Sequence, residues 1–212
     1  MKEELYIFGA GGFAKETYYL ASDLYDVKAF IDRDKDATNE ILSGKTIPII
    51  SEDDFSTICA TQKVNAAIAI ANNHVVSSIY EKFAERCSFP NIIHSSAQLL
   101  DIKIEGIGNL IAHRNYLSYN VRLGSFNRIT IGSIIGHDCK IGDYNQINPH
   151  CTISGNTEIG NHNLFGAGST LLQGINVGNN NILGLGAVFL TSIKDNGVYI
   201  GNPARLMAKN TK

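Results

Sequence analysis

One histidine in this chain is followed directly by a carboxylate: His137-Asp138, inside Ile135-Gly136-His137-Asp138-Cys139-Lys140-Ile141-Gly142-Asp143. Imidazole is the side chain best matched to taking a proton from an attacking group near neutral pH. A neighbouring carboxylate favours imidazolium and so strengthens the base. On residue types alone, a solvated His–Asp corner is the commoner explanation. A second candidate lies near the start, where Gly9-x-Gly11-x-x-Ala14 fits the looser dinucleotide fingerprint. Glycines there let the backbone turn tightly and approach a phosphate, and a following helix N-terminus favours an anion. A tight turn beside an empty crevice fits the same residues.

The elements around the glycine turn suit it. Leu5–Phe8 reads as a buried strand and Phe13–Leu24 as a helix. Val27–Ile31 reads as a second strand, ending at Asp32-Arg33, where a carboxylate can bond ribose hydroxyls. Ile47–Ile50 is a weaker strand that Pro48 assigns to an edge. Ala66–Ala71 is a fourth strand and Asn73–Arg86 a helix. The alternation predicts a parallel sheet with helices packed on it. Residues 1–90 supply only one mononucleotide half, so a single nucleotide or a nucleotide-linked sugar fits better than NAD.

A different rule governs residues 91–212. Every sixth residue from Ile111 to Phe189 is apolar, fourteen positions in a row. With 44% hydrophobic residues, chance gives such a run about once in 10⁵. Glycine follows seven of these anchors, and four positions after the anchor comes a small or polar residue such as Asn115, Asn127, Ser133 or Asn145. Such hexapeptide repeats predict a parallel β-helix. Three units close one triangular coil of 18 residues, stacked roughly 4.8 Å from the next. Gly and Asn are expected to supply the left-handed backbone of the corners. Glu105 breaks the register upstream.

Stacking also selects neighbours. His137 lies one coil from Tyr119 and Gly155. A glycine there leaves room for an acyl group, and its N–H can meet a developing oxyanion. Ala167 and Leu185 form a column on another corner.

Composition excludes several classes. The 18 Lys and Arg against 20 Asp and Glu leave a net charge of −2, with no electrostatic footprint for nucleic acid. No apolar run reaches the roughly 18 residues of a membrane helix, and Met1-Lys2-Glu3-Glu4 is no signal peptide. Four cysteines without CxxC spacing read as reduced and cytoplasmic. The six histidines show no close pair of the kind zinc sites use, so no metal is expected. Low charge in the repeat predicts prisms packed side by side.

Gly9-Ala10-Gly11-Gly12, Phe89-Pro90-Asn91-Ile92-Ile93-His94, the His137-Asp138 segment and Gly201-Asn202-Pro203-Ala204-Arg205 occur in that order. The chain thereby resembles the bacterial sugar acyltransferases of the sialic acid O-acetyltransferase (NeuD-like) family. That family includes PglD-like, acetyl-CoA-dependent N-acetyltransferases of nucleotide-linked amino sugars. The resemblance implies an α/β, half-Rossmann-like N-terminal domain and a left-handed parallel β-helix, in a homotrimer with active sites between subunits. It implies that His137 is the general base, made more basic by Asp138. It places acetyl-CoA against Gln146, Ala167 and Leu185, and the sugar nucleotide against Gly11, Gly12, Phe13, Asp32, Arg33 and Asn72. Many relatives have His where Phe13 stands, and some have His where Gln146 stands, which leaves the sugar open. Arg205 supports the CoA nucleotide or merely docks the tail. The expected activity is N-acetylation of a nucleotide-linked amino sugar, a 4-amino-4,6-dideoxy sugar above all, for surface glycans. The alternative is O-acetylation of sialic acid or a related sugar. A zinc carbonic anhydrase, a nicotinamide oxidoreductase and a non-catalytic nucleotide-sugar sensor are weaker rivals.

Overall fold

The computed structural model describes residues 1–33 and 39–211, and the chain divides into two compact units, Met1–Ile92 and Ile93–Lys212. The first unit is built on β1 (Glu3–Phe8), whose inner four residues are all buried, as a strand covered on both faces requires. After it come α1 (Gly12–Ala21), β2 (Tyr25–Ile31), a hairpin of β3 (Glu40–Leu42) and β4 (Lys45–Ile47), and β5 (Ile49–Ile50). The unit ends with α2 (Glu52–Thr61), β6 (Val64–Ile68), α3 (Asn73–Phe83) and β7 (Cys87–Ser88). The parallel sheet runs β5-β2-β1-β6-β7, so Pro48 does precede an edge strand. Strand order reverses between β1 and β6, the position at which open α/β sheets bind ligands. Phe8, Phe55 and Phe83 pack ring against ring, at 5.1–5.4 Å between centroids, and lock α2 and α3 to β1.

Several details depart from the sequence reading. The Ile47–Ile50 run is broken at Pro48 into β4, which pairs with β3, and β5, at the sheet edge; the strand read as Ala66–Ala71 is Val64–Ile68, and the helix read as Asn73–Arg86 ends at Phe83. Helix α1 ends at Ala21 rather than Leu24, which is left 51% exposed. Helix α2 was not expected, although its start is written in Ser51-x-x-Asp54. The Ser51 hydroxyl accepts the Asp54 N–H at 3.1 Å, and the Asp54 carboxylate accepts the Ser51 N–H at 3.2 Å.

The second unit is a left-handed parallel β-helix. Its repeat strands are two residues long and fall into three sheets, which through most of the prism pair residues 18 apart. One face carries the anchors Leu117, Ile135, Ile153, Leu171 and Phe189; a second carries Leu123, Ile141, Ile159 and Val177; the third carries Ile111, Ile129, Ile147, Phe165 and Leu183. None of these anchors is more than 4% exposed. The Glu105 break is a one-residue offset: Ile104, not Glu105, pairs with Leu123, 19 residues on. At the other end the coil shortens to 16 residues, with Leu183 beside Tyr199. Strands Gly197–Ile200 and Arg205–Lys209 then form an antiparallel hairpin.

The repeat glycines fall into two groups: Gly132, Gly168, Gly174 and Gly186 supply left-handed corners as expected, with φ 62–75°, and the others do not. Those directly after anchors do not have left-handed backbone. They are small because the next coil lies against them: a Cβ on Gly136 would sit 2.5 Å from the Gly155 nitrogen, and one on Gly166 2.6 Å from the Leu185 nitrogen. Left-handed backbone falls two residues later, three after every anchor but Phe189, and there Asn120, Asp138, Tyr144, His150, Asn156 and His162 all have φ between 56° and 59°.

One corner carries a polar spine. Asn127, Asn145, Asn163 and Asn181 are fully buried, and each backbone N–H donates to the side-chain oxygen of the Asn one coil earlier, at 2.8–3.1 Å. The Asn145 amide also donates to the Gly160 carbonyl at 2.9 Å. Among the described residues no helix is long and apolar enough to cross a membrane.

Replacing Asn145 with Ala strips partners from a buried N–H and a buried carbonyl at once. We expect a loss of about 2–4 kcal/mol and a fall of roughly 5–15 °C in melting temperature, read by thermal denaturation. A variant melting within a degree of the parent would show that the spine carries no stability.

Candidate active site

His137 lies two residues after anchor Ile135, at the corner joining the Leu117 face to the Leu123 face. Its side chain is 51% exposed and Nδ1 lies 2.8 Å from Asp138 Oδ2. Asp138 Oδ1 accepts the amide N–H of Asn120, one coil earlier, at 2.8 Å. These two hydrogen bonds, from Asn120 first and His137 second, hold the Asp138 carboxyl below the usual carboxylate range. A carboxylate that stays charged is a permanent acceptor for an Nδ1–H. The tautomer that donates to it carries its lone pair on Nε2.

Gly155 lies beside His137, as the 18-residue rule requires, but it offers no room for an acyl group. A Cβ there would lie 2.8 Å from His137 Nε2 and 2.9 Å from Cε1, so the imidazole itself fills the space. Gly155 is the seat of the imidazole. Asn120 was missed by the sequence reading, although the same rule reaches it, since it precedes Asp138 by 18 residues.

The residues assigned to acetyl-CoA do not gather around His137 in one chain. Ala167 and Leu185 stand on the corner joining the Ile111 face to the Leu117 face, where the Gly186 N–H donates to the Ala167 carbonyl at 2.9 Å. Ala167 is half-buried and Leu185 is 78% exposed. Gln146 is buried on the Ile111 face; its amide oxygen accepts Arg128 Nε at 2.7 Å, and its nitrogen donates to Asn148 at 2.9 Å. Burial pulls the Arg128 guanidinium down to about 9. The Leu117 face runs between the His137 corner and the Leu185 corner, and its strands carry no charged residue. Exposed charges lie on the Leu123 face instead, where Lys140 meets Glu158 at 2.6 Å and Arg122 meets Glu105 at 3.7 Å.

Of the N-terminal candidates, Asp32 and Arg33 line a cavity at the switch point, whereas Gly11, Gly12, Phe13 and Asn72 are not in its lining. That cavity, of about 190 Å³, is lined by Phe8, Gly9, Ile31, Asp32, Arg33, Glu52, Ile70, Val75 and Ile79. That is below the roughly 300–1,000 Å³ of sites that enclose a whole ligand, so it suits one part of a nucleotide. Gly9 is fixed by the protein itself, with φ 97° and the Ala69 carbonyl 2.9 Å from any Cβ. Gly11 and Gly12 are different: a Cβ on either meets nothing within 4 Å. They leave the start of α1 bare, with no side-chain cap and no acidic residue in its first turn. Half-buried Phe13 follows them.

Asp32 already has work inside the chain. Its Oδ2 accepts the Ala10 N–H at 2.9 Å and its Oδ1 the Arg33 N–H at 2.7 Å, so it props the glycine turn. Arg33 is 85% exposed at its side chain, with Nε 3.9 Å from Glu52. Asn72 caps α3, accepting from His74 and Val75. Arg205 is exposed and donates to the Ala204 carbonyl.

Residues 4–83 match the PglD N-terminal domain. No curated protein matches the chain in sequence. Among solved structures, WeeI from Acinetobacter baumannii AYE is 29% identical, with a TM-score of 0.83 over 97% of this chain and all of that one. The acetyltransferase domain of PglB from Neisseria gonorrhoeae FA1090, in complex with acetyl coenzyme A, is 26% identical with a TM-score of 0.85, over 98% of this chain and all of that one. PerB from Caulobacter crescentus, in complex with CoA and GDP-perosamine, has a TM-score of 0.89 over 97% of both chains; at 22% identity the likeness is one of fold.

The seat of the imidazole can be tested without any substrate. Gly155→Ala should push the ring off its present position and out of hydrogen-bonding range of Asp138, while the Asn156 N–H keeps its bond to the His137 carbonyl. A crystal structure of the variant decides it, and an unmoved ring would refute the packing argument.

Proposed function

We propose, for a chain with a PglD N-terminal domain joined to a hexapeptide-repeat β-helix, that it transfers acetyl from acetyl-CoA to the amine of a nucleotide-linked amino sugar. The observation that carries this is the ordered imidazole, with His137 Nδ1 tied to a held carboxylate, which leaves Nε2 as the nitrogen to accept a proton. The acetyl-CoA bound to PglB, and the CoA and GDP-perosamine bound to PerB, support the two substrates. So does the switch-point cavity with its bare helix start, which suits a phosphorylated ligand.

His137 Nε2 takes the proton as the sugar amine attacks the thioester carbonyl. The tetrahedral intermediate collapses, breaking the C–S bond and leaving an amide and CoA thiolate. The imidazolium then returns its proton to the thiolate, and the base is restored. Asp138 remains ionised throughout and stabilises the imidazolium.

The reading includes a trimer. Three prisms meeting through their uncharged Leu117 faces would bring one subunit's His137 corner beside a neighbour's Ala167–Leu185 corner. Exposed Ile134, Leu172 and Leu190 on and beside this face support that packing. Gln146, buried within its own chain, would then act by bracing the site. We place the reaction in the cytoplasm, to which four buried free thiols are suited.

The test is CoA release from acetyl-CoA with UDP- and GDP-linked 4-amino-4,6-dideoxy sugars, with free sialic acid as the competing acceptor. Turnover of an amino sugar is expected, and His137→Ala should lower kcat by roughly 10²–10⁴-fold. Preference for sialic acid would make this an O-acetyltransferase, and undiminished turnover by His137→Ala would remove the assigned base.

A further inference from the structure

The Asp138 carboxylate does not face His137 alone. It opens on a cavity of about 270 Å³ lined also by Asn120, Arg122, Lys140, Asn156 and Glu158. Two cations in that cavity compete for its charge, and Asp138 is exposed enough to turn to them, with a side chain at 40%. Each cation instead meets a glutamate, Lys140 with Glu158 and Arg122 with Glu105. The remaining free motion of the carboxylate is rotation of its own oxygens. Asn120 opposes that rotation, because its amide donates to Oδ1 while Oδ2 faces His137 Nδ1, both at 2.8 Å.

We propose that Asn120 is a positioning residue for acyl transfer: it fixes the Asp138 carboxylate so that His137 keeps the tautomer with a bare Nε2. The proposal rests on the reading of His137 as the base and assigns it a device one coil away. Asn120 touches neither the imidazole nor the reacting atoms. Its backbone is held independently, with φ 57°, its own N–H on the Asp101 carbonyl at 3.2 Å, and the Tyr119 carbonyl accepting the Asp138 N–H at 2.9 Å. The amide can therefore be removed without unmaking the corner.

Asn120→Gly is the clean deletion. Glycine tolerates left-handed backbone, and Gly174 fills the equivalent place on the same corner with φ 75°. Asn120→Asp is the conservative partner: its carboxyl donates to Asp138 only while a proton is shared between the two, and that proton leaves as the pH rises.

Two readouts decide the matter. The first is the ¹⁵N shifts of the His137 imidazole in labelled protein, assigned against His137→Gln. The parent should show Nδ1–H, and Asn120→Gly should drift toward the Nε2–H form that an unconstrained histidine side chain prefers. The second is kinetics: Asn120→Gly should lower kcat about tenfold with KM for acetyl-CoA nearly unchanged. Asn120→Asp should recover activity relative to the parent as the pH falls. An unchanged tautomer in Asn120→Gly would overturn the proposal, as would a loss of kcat in both variants with no pH dependence in Asn120→Asp. The imidazole shifts require no acceptor, so if no amino sugar is acetylated the proposed function fails while the tautomer still judges Asn120.

Discussion

Everything in the second unit depends on a stacking distance in sequence. Each coil hydrogen-bonds to the next through residues 18 apart, so a side chain's neighbours are those one coil before and after. The buried anchors fill the interior, but apolar packing alone tolerates slippage of one coil over another. The asparagine spine does not. Each Asn side chain accepts a backbone N–H from the next coil and, through most of the spine, donates to a carbonyl of that coil, so a slip of one residue would leave several buried groups unpaired at once. Register is thus fixed by polar groups within an apolar prism. The same register brings Asn120 to Asp138 and Gly155 to His137.

That register explains what was legible. A six-residue period of anchors is visible in a single chain, because each anchor answers to the same interior, and the fold follows from it. The glycines were visible as well, but their cause was not. Both left-handed backbone and contact with a neighbouring chain segment select glycine, and spacing cannot separate the two. The structure does: Gly136 is small for the Gly155 backbone, whereas the left-handed turn is made by Asp138. Likewise Gly155 was visible as His137's neighbour, but whether the gap holds an acyl group or the imidazole depends on a side-chain rotamer.

In the first unit the turn and its strands were readable, whereas helix α2 was not. Its residues, Glu52–Thr61, are weakly apolar and bury only Phe55 and Cys59. A short amphipathic stretch of that kind gives little period, and its start is declared only by the Ser51–Asp54 capping box. Asp32 shows another limit. A carboxylate at the end of the second strand suits a ribose, yet the same position lets it accept the Ala10 N–H and stiffen the glycine turn. Gly11 and Gly12 are the stronger sign of a ligand, because nothing in the unit itself requires them to be small.

The His137–Asp138 pair illustrates how a local pattern acquires meaning from the fold. Adjacent residues in a strand point to opposite faces, so His137 and Asp138 could not meet there. They meet because Asp138 has φ 58°, in the turn that closes every unit of the repeat. Asp is among the few residues that tolerate that backbone, since its short side chain bonds locally. Asn120 and Asn156 occupy the same place in the coils before and after, with the same left-handed turn. The constraint that admits Asp and Asn at this corner for backbone reasons therefore also sets a carboxylate between two amides and beside an imidazole. A structural rule of the repeat supplies the residue types that order an imidazole, and His137 makes that corner the candidate site.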